Sequence, residues 1–144
     1  MPLSKLSHYS IRSLDLDAMR KFYTGVLGLT VGPRPPFNFP GLWLYNGSHD
    51  SYDNAVVHVL GIDPNDAQGL KDYLGDRDPA SLKESGTGSF DHIAFAATDL
   101  AGMLSHLKQI GAPFRERTVP NLNLHQVFVD DPSGVVIELN YPVG

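Results

Sequence analysis

His8-Tyr9-Ser10-Ile11-Arg12-Ser13-Leu14-Asp15 is answered later in the chain by Asp91-His92-Ile93-Ala94-Phe95, which runs on to Asp99. In both copies an Asp follows the His by seven residues, and a Gly, Gly28 or Gly111, stands roughly 20 residues after it. A strand leading into an Asp-capped helix with a glycine exit accounts for both intervals. Further on, Asn54-Ala55-Val56-Val57-His58-Val59 stands in the first half where Gly134-Val135-Val136-Ile137-Glu138-Leu139 stands in the second. The chain is therefore read as an internal duplication. His8, His58, His92 and Glu138 occupy equivalent strands of the two copies, a set from which one mononuclear metal site can be assembled.

Local patterning fills in the elements. Alternation from Leu6 to Leu14 predicts a strand with His8, Ser10 and Arg12 on one unusually polar face. Asp15 caps a helix whose Ala18, Met19, Phe22, Tyr23 and Val26 fall at helical spacing, and Gly28 suits its left-handed exit. The next strand, around Leu29 to Gly32, is cut short by Pro33-Arg34-Pro35-Pro36, whose prolines lack the amide donors a ladder needs. Gly41 to Tyr45 and Ala55 to Leu60 read as two strands reversing through Asn46-Gly47. In the second half the expectation is a strand from Phe90 to Ala96 and a helix from Leu100 to Ile110, with Leu100, Met103, Leu104, Leu107 and Ile110 on one stripe. Strands Phe114 to Val119, Leu124 to Val129 and Val135 to Asn140 follow, the last two around Asp131-Pro132-Ser133-Gly134. Residues 63–89 read as a linker with room for a short helix over 67–74. The fold class is α+β: one domain over 1–144, with repeat one at about 5–62 and repeat two at about 90–141, each β-α-β-β-β, and the two sheets facing each other.

Composition narrows the function. A chain of 144 residues, 42% hydrophobic, is long enough for an ordinary core. A formal charge of -5 without a basic run argues against nucleic acid or an anionic membrane and favours a small-molecule substrate. The absence of cysteine excludes disulfides, thiolate ligands and thiol nucleophiles, so any metal is held by nitrogen and oxygen. No signal peptide or membrane-length apolar run is evident, and a cytoplasmic protein is expected. There is no phosphate-binding glycine loop, nucleophile elbow or dinucleotide fingerprint.

Three phrases in order resemble the vicinal oxygen chelate superfamily, which includes glyoxalase I, extradiol dioxygenases, methylmalonyl-CoA epimerase and the fosfomycin and bleomycin resistance proteins. They are Leu6-Ser7-His8 followed by the run Asp17 to Leu29, Phe90-Asp91-His92-Ile93-Ala94-Phe95, and Phe128-Val129-Asp130-Asp131-Pro132-Ser133-Gly134-Val135-Val136-Ile137-Glu138-Leu139. The resemblance implies a cup-shaped, pseudo-twofold pair of mixed sheets, a homodimer, and a divalent metal on His8, His92 and Glu138, with His58 in the fourth position. Glyoxalase I and the epimerase carry a carboxamide or carboxylate at that fourth position, and extradiol enzymes carry a tyrosine where this chain has Phe128. The histidine and the phenylalanine are therefore departures with chemical meaning.

Each candidate has an ordinary reading beside the functional one. A lone histidine is more often an exposed or hydrogen-bonded residue than a ligand, and it is the matched placement of His8 and His92 that points to a site. Glu138 is a charge inside the apolar run Val135 to Leu139, and a desolvated carboxylate calls for a metal or a cation. His58 sits in a similarly apolar strand as a third imidazole ligand or as an acid/base group. Arg12, on the face of His8, is a candidate grip for a substrate oxyanion or one half of a salt bridge. Arg115 and Arg117 default to solvated surface, and His49 and His106 to surface histidines. Of His125 and Gln126, which point to opposite faces, the resemblance selects Gln126, with Phe128, as substrate-binding. Trp43, Tyr45, Phe37 and Phe39 form either an apolar substrate wall or core.

Three functions follow. Two imidazoles and one carboxylate suit Fe(II) or Mn(II) and lead to extradiol-type dioxygenation of a small oxygen-rich substrate that chelates the metal. The alternative is a glyoxalase I-like lyase or an epimerase, in which Zn, Ni or Co polarises a carbonyl and Glu138 moves a proton. A non-catalytic, resistance-type binding protein without metal is the third.

Overall fold

A computed structural model describes residues 6–63, 65, 68–69, 92–119 and 123–143. The strand residues Phe90 and Asp91 and most of the short helix expected over 67–74 lie outside the described residues. By its internal contacts the chain divides into two compact units, Met1–Ser85 and Gly86–Gly144. Among the described residues no helix is long and apolar enough to cross a membrane.

The first unit contains β1 (Tyr9–Ser13), α1 (Leu16–Gly25), β2 (Thr30–Gly32), β3 (Gly41–Tyr45) and β4 (Ala55–Gly61). Its sheet has the order β1-β4-β3-β2, with β1 parallel to β4 and the other neighbours antiparallel. The second unit repeats the plan with β5 (His92–Ala96), α2 (Leu100–Ile110), β6 (Arg115–Val119), β7 (Leu124–Asp130) and β8 (Val136–Pro142), in the order β5-β8-β7-β6. Two four-stranded mixed sheets, each with one helix in its repeat, make this the α+β, tandem β-α-β-β-β architecture that the duplication implies.

The matched aspartates cap both helix starts, and Gly111 caps the end of α2, whereas α1 already ends at Gly25 with Val26 as its right-handed cap, so Gly28 turns the chain after the helix rather than closing it. Asp15 accepts a hydrogen bond from the Ala18 amide at 2.9 Å, and Asp99 accepts one from the Gly102 amide at 3.1 Å. Each satisfies one of the donors left open at a helix start. Gly28 and Gly111 have φ of +74° and +71°, the left-handed region that a side chain disfavours. Unlike Asp15, Asp99 itself is left-handed, with φ of 63°. A Cβ on Gly102 would collide with the Asp99 carboxylate, so the second cap also fixes the glycine beside it.

In the first unit Met19 and Tyr23 of α1 pack with Leu42 and Leu44 of β3 and Val57 and Val59 of β4. Because side chains alternate along a strand, the intervening residues Trp43 and His58 project from the other face. In the second unit Leu107, Val127, Val129, Ile137, Leu139 and Tyr141 are buried. By the same alternation Glu138 and Asn140 share the face opposite Ile137 and Leu139.

Three details differ from expectation. β1 begins at Tyr9, with His8 immediately before it. Asn46-Gly47 opens a longer connection, because the chain continues through a 3-10 turn at Tyr52–Asn54 before the Asn46 amide meets the Asn54 carbonyl at 2.9 Å. Ser51 caps that turn by accepting from the Asp53 amide, which makes the longer loop self-supporting. Ile110 is 46% exposed and leaves the apolar stripe, since the helix ends there and turns out through Gly111.

Candidate functional site

β8 is flanked by β5 and β7, and its register decides what surrounds Glu138. Ala94 lies beside Glu138 in the parallel pairing, while Phe128 lies across from it and Gln126 across from Asn140. His92, two residues before Ala94, reaches diagonally past that small side chain, bringing its Nε2 to 3.1 Å from Glu138 Oε2. The Gln126 amide donates to Glu138 Oε1 at 2.7 Å and to Asn140 Oδ1 at 3.1 Å. Glu138 is 7% exposed, so its carboxylate is desolvated with both oxygens engaged, as a buried anion requires. The His92 side chain keeps 40% of its surface open. Gln126, expected at a substrate, here uses its amide to hold Glu138.

The first unit treats the equivalent position differently. Ser10 of β1 and Trp43 of β3 stand in register with His58 on either side. The His58 ring is stacked on His8, with centroids 3.8 Å apart and planes 16° apart, and on Trp43, at 3.8 Å and 8°. Its Nε2 lies 3.0 Å from the Ala55 carbonyl. A carbonyl only accepts, so the neutral ring carries its proton on Nε2 and leaves Nδ1 as the lone pair. Burial, and secondarily repulsion from His8, push the His58 pKa down to about 4, against a smaller upward pull from the Ala55 carbonyl. The imidazole is neutral at pH 7. His8 is exposed, with Nδ1 at 2.9 Å from the Ser7 hydroxyl and Nε2 as its other ring nitrogen.

An aromatic shelf extends from this stack. Tyr52 meets Trp43 edge-on at 5.2 Å, Phe37 lies 6.3 Å from it, and Phe37 stacks on Phe39 at 5.2 Å. The Arg34 guanidinium sits over both phenylalanines, 5.3 and 5.1 Å from their centroids. Tyr45 takes a different direction from the other three aromatic residues singled out in the sequence: its hydroxyl donates to the Pro33 carbonyl and its ring lies against His49. Arg12 is half-buried and level with Leu60, on the face that carries Ser10.

In the second unit Phe128 is half-buried with the Arg115 guanidinium 5.9 Å above its ring, and Arg115 forms a two-pronged bond to Asp130 at 3.0 and 3.1 Å. His125, on the other strand face from Gln126, lies between Thr118 and Glu116 at 3.0 and 2.9 Å. Arg117 is exposed.

The structure thus gathers the four candidate donors in pairs, His8 with His58 and His92 with Glu138. Among the described residues no three His, Asp or Glu side chains come together to hold a metal ion. The donor chemistry nevertheless fits a cation. His8 and His58 each have one ring nitrogen hydrogen-bonded, the arrangement that fixes ring orientation in metal-binding histidines, and Glu138 is a desolvated anion. Sequence reading missed the Ala55 carbonyl and the stacking of Trp43 on His58. The alternation of Trp43 and His58 on their strands carried a signal for the latter, but only the strand register makes it a contact.

Comparison with known proteins places these features. The family model for the Glyoxalase/Bleomycin resistance protein/Dioxygenase superfamily matches residues 5–139. No curated protein matches the chain. Among solved structures, a lactoylglutathione lyase from Agrobacterium tumefaciens is 21% identical, covering 98% of this chain and 96% of that one, with a TM-score of 0.61. Glyoxalase I from Leishmania major is 23% identical, covering 97% and 88%, with a TM-score of 0.63. A genomically encoded fosfomycin resistance protein from Listeria monocytogenes is 16% identical, covering 97% and 94%, with a TM-score of 0.62. At these identities the likeness is one of fold.

Proposed function

Because the chain belongs to the glyoxalase/bleomycin resistance protein/dioxygenase superfamily, we propose that it is a metal-dependent enzyme acting on a small oxygen-rich substrate, with extradiol-type oxygenation as the leading reaction. The observation that supports this most is the buried Glu138 carboxylate, bonded to His92 within an otherwise apolar strand. In this reading His92 and Glu138 hold the metal together with His8, the two repeats being supplied by one chain or by two copies in a homodimer. Fe(II) or Mn(II) there would supply a Lewis-acid centre for two adjacent substrate oxygens and, in the case of iron, a route for electrons to dioxygen. Gln126 keeps the Glu138 carboxylate aimed by donating to its Oε1. Phe37, Trp43 and Phe128 offer apolar surface to the body of the substrate, and Arg12 offers a cation for an oxyanion.

The test is elemental analysis of protein purified without added metal or chelator, then oxygen uptake with a catechol panel after anaerobic Fe(II) loading. Stoichiometric metal, lost in His92→Ala and Glu138→Ala, is expected; protein isolated without metal and unable to take it up would favour a binding protein instead.

His58 favours a second reading. A general base works best with a pKa near the operating pH, and one near 4 is far below it. A neutral imidazole with a free Nδ1 suits a fourth ligand better. Four protein donors leave less room for dioxygen and suit glyoxalase-like proton transfer, with Zn, Ni or Co in place of Fe(II). Solvent deuterium entering a hemithioacetal or acyl thioester, without oxygen uptake, would establish this reading over the first.

A further inference from the structure

The His58 ring is held on three sides. His8 and Trp43 cover its two faces at 3.8 Å each, and the Ala55 carbonyl meets one edge at 3.0 Å. A histidine ring normally has a broad, roughly two-fold freedom about its last torsion. Between two parallel rings only a half-turn flip survives. That flip would place a carbon against the Ala55 carbonyl in a site where His58 is 7% exposed and water cannot easily replace the lost bond. The two covering rings are not equivalent, because His8 is exposed and lies before the first residue of β1. Trp43 is inside β3, directly across from His58, and is itself braced by Tyr52 and Phe37. The rigid member of the sandwich is the indole.

We propose that Trp43 is a positioning residue: its indole, acting with the Ala55 carbonyl, locks His58 into one orientation and one tautomer, so that Nδ1 is the nitrogen presented to a ligand. That the ligand is a metal rests on the reading given above; the locked tautomer does not. His8, whose Nδ1 lies at the Ser7 hydroxyl, would present the other kind of nitrogen, Nε2. The His8 and His58 imidazoles therefore offer unlike donors.

Nitrogen-15 imidazole spectra of metal-free protein read the tautomer directly, with His58 assigned by its disappearance in His58→Leu. The wild type is expected to show a proton on Nε2 and none on Nδ1. Trp43→Phe keeps a stacking face and should retain that tautomer, whereas Trp43→Leu should yield a mixture. A proton on Nδ1 in the wild type, or a Trp43→Leu protein with an unchanged far-ultraviolet spectrum and the wild-type tautomer, would overturn the proposal. Should Trp43→Leu not fold, the wild-type and Trp43→Phe spectra still decide, because loss of the tautomer on a change from indole to phenyl would exclude stacking as the cause.

Co(II) titration supplies the second arm. Trp43→Leu is expected to bind Co(II) about 10-fold more weakly, as expected for a lost positioning contact. Trp43 is the only tryptophan in the chain, so bound Co(II) should dim its emission. Wild-type protein that binds no Co(II), or binds it without dimming, would sink the metal assignment while leaving the tautomer result to judge Trp43 by itself.

Discussion

The two repeats share a backbone plan and diverge on one face. Position by position, the registers place Ser10, Trp43 and Gly41 in the first unit where Ala94, Phe128 and Gln126 stand in the second. Around His58 the neighbours are ring faces, and around Glu138 they are hydrogen-bond donors. An imidazole can be steadied by stacking and kept neutral by desolvation. A carboxylate in the same place needs polar partners or it cannot remain charged. The difference between the repeats therefore follows from the group each must hold, while both helices still start on a capping aspartate.

Substitutions at matched positions probe that division. The largest effect is expected at the helix stripes: Met19→Ala and Leu107→Ala, each at a site of 0% exposure, should lower unfolding free energy by about 2–5 kcal/mol. Denaturant titration would show comparable losses in both, and a negligible loss in either would break the claim that the repeats are built on equivalent helices. A middle-sized effect belongs to the second repeat only. Gln126→Leu removes the donor to Glu138 Oε1 and should cost about 2 kcal/mol in thermal unfolding. The first repeat has Gly41 at that position and no counterpart to remove. A stability unchanged by Gln126→Leu would mean that Glu138 does not depend on this bond.

The smallest effects are at the caps. Asp15→Ala should lose about 1 kcal/mol. Asp99→Gly should stay within about 0.5 kcal/mol of the wild type, because glycine relieves the left-handed backbone at φ of 63° while the cap is lost. Equal costs at the two sites would show that the positive φ of Asp99 carries no penalty.

Asp15, Asp99, Gly28 and Gly111 made the repeat legible because caps and exits are local: the chemistry of one residue and its distance along the chain suffice. Proline density likewise foretold the short β2, and a charge among valines foretold the burial of Glu138. The loop after Asn46 was misjudged because a two-residue turn signal says nothing of Ser51, whose hydroxyl caps a further turn and extends the connection. Alternation predicted which face Gln126 occupies, but the identity of its partners depends on how β7 is registered against β8. The stack on His58 needs three segments at once, including a β3 whose pairing slips between Leu44 and Tyr45. Contacts set by register are not written in any single stretch of chain.

The seven-residue interval from histidine to capping aspartate also acts as a ruler. One residue inserted within it would turn His8 or His92 toward the opposite side of its sheet or carry the cap off its helix. The stretches 33–40 and 46–54 bear neither constraint, and there the chain can be lengthened as long as Phe37 and Tyr52 stay against Trp43. Any reshaping of this scaffold toward a new ligand should accordingly begin in those two loops, with the interval left at its present length.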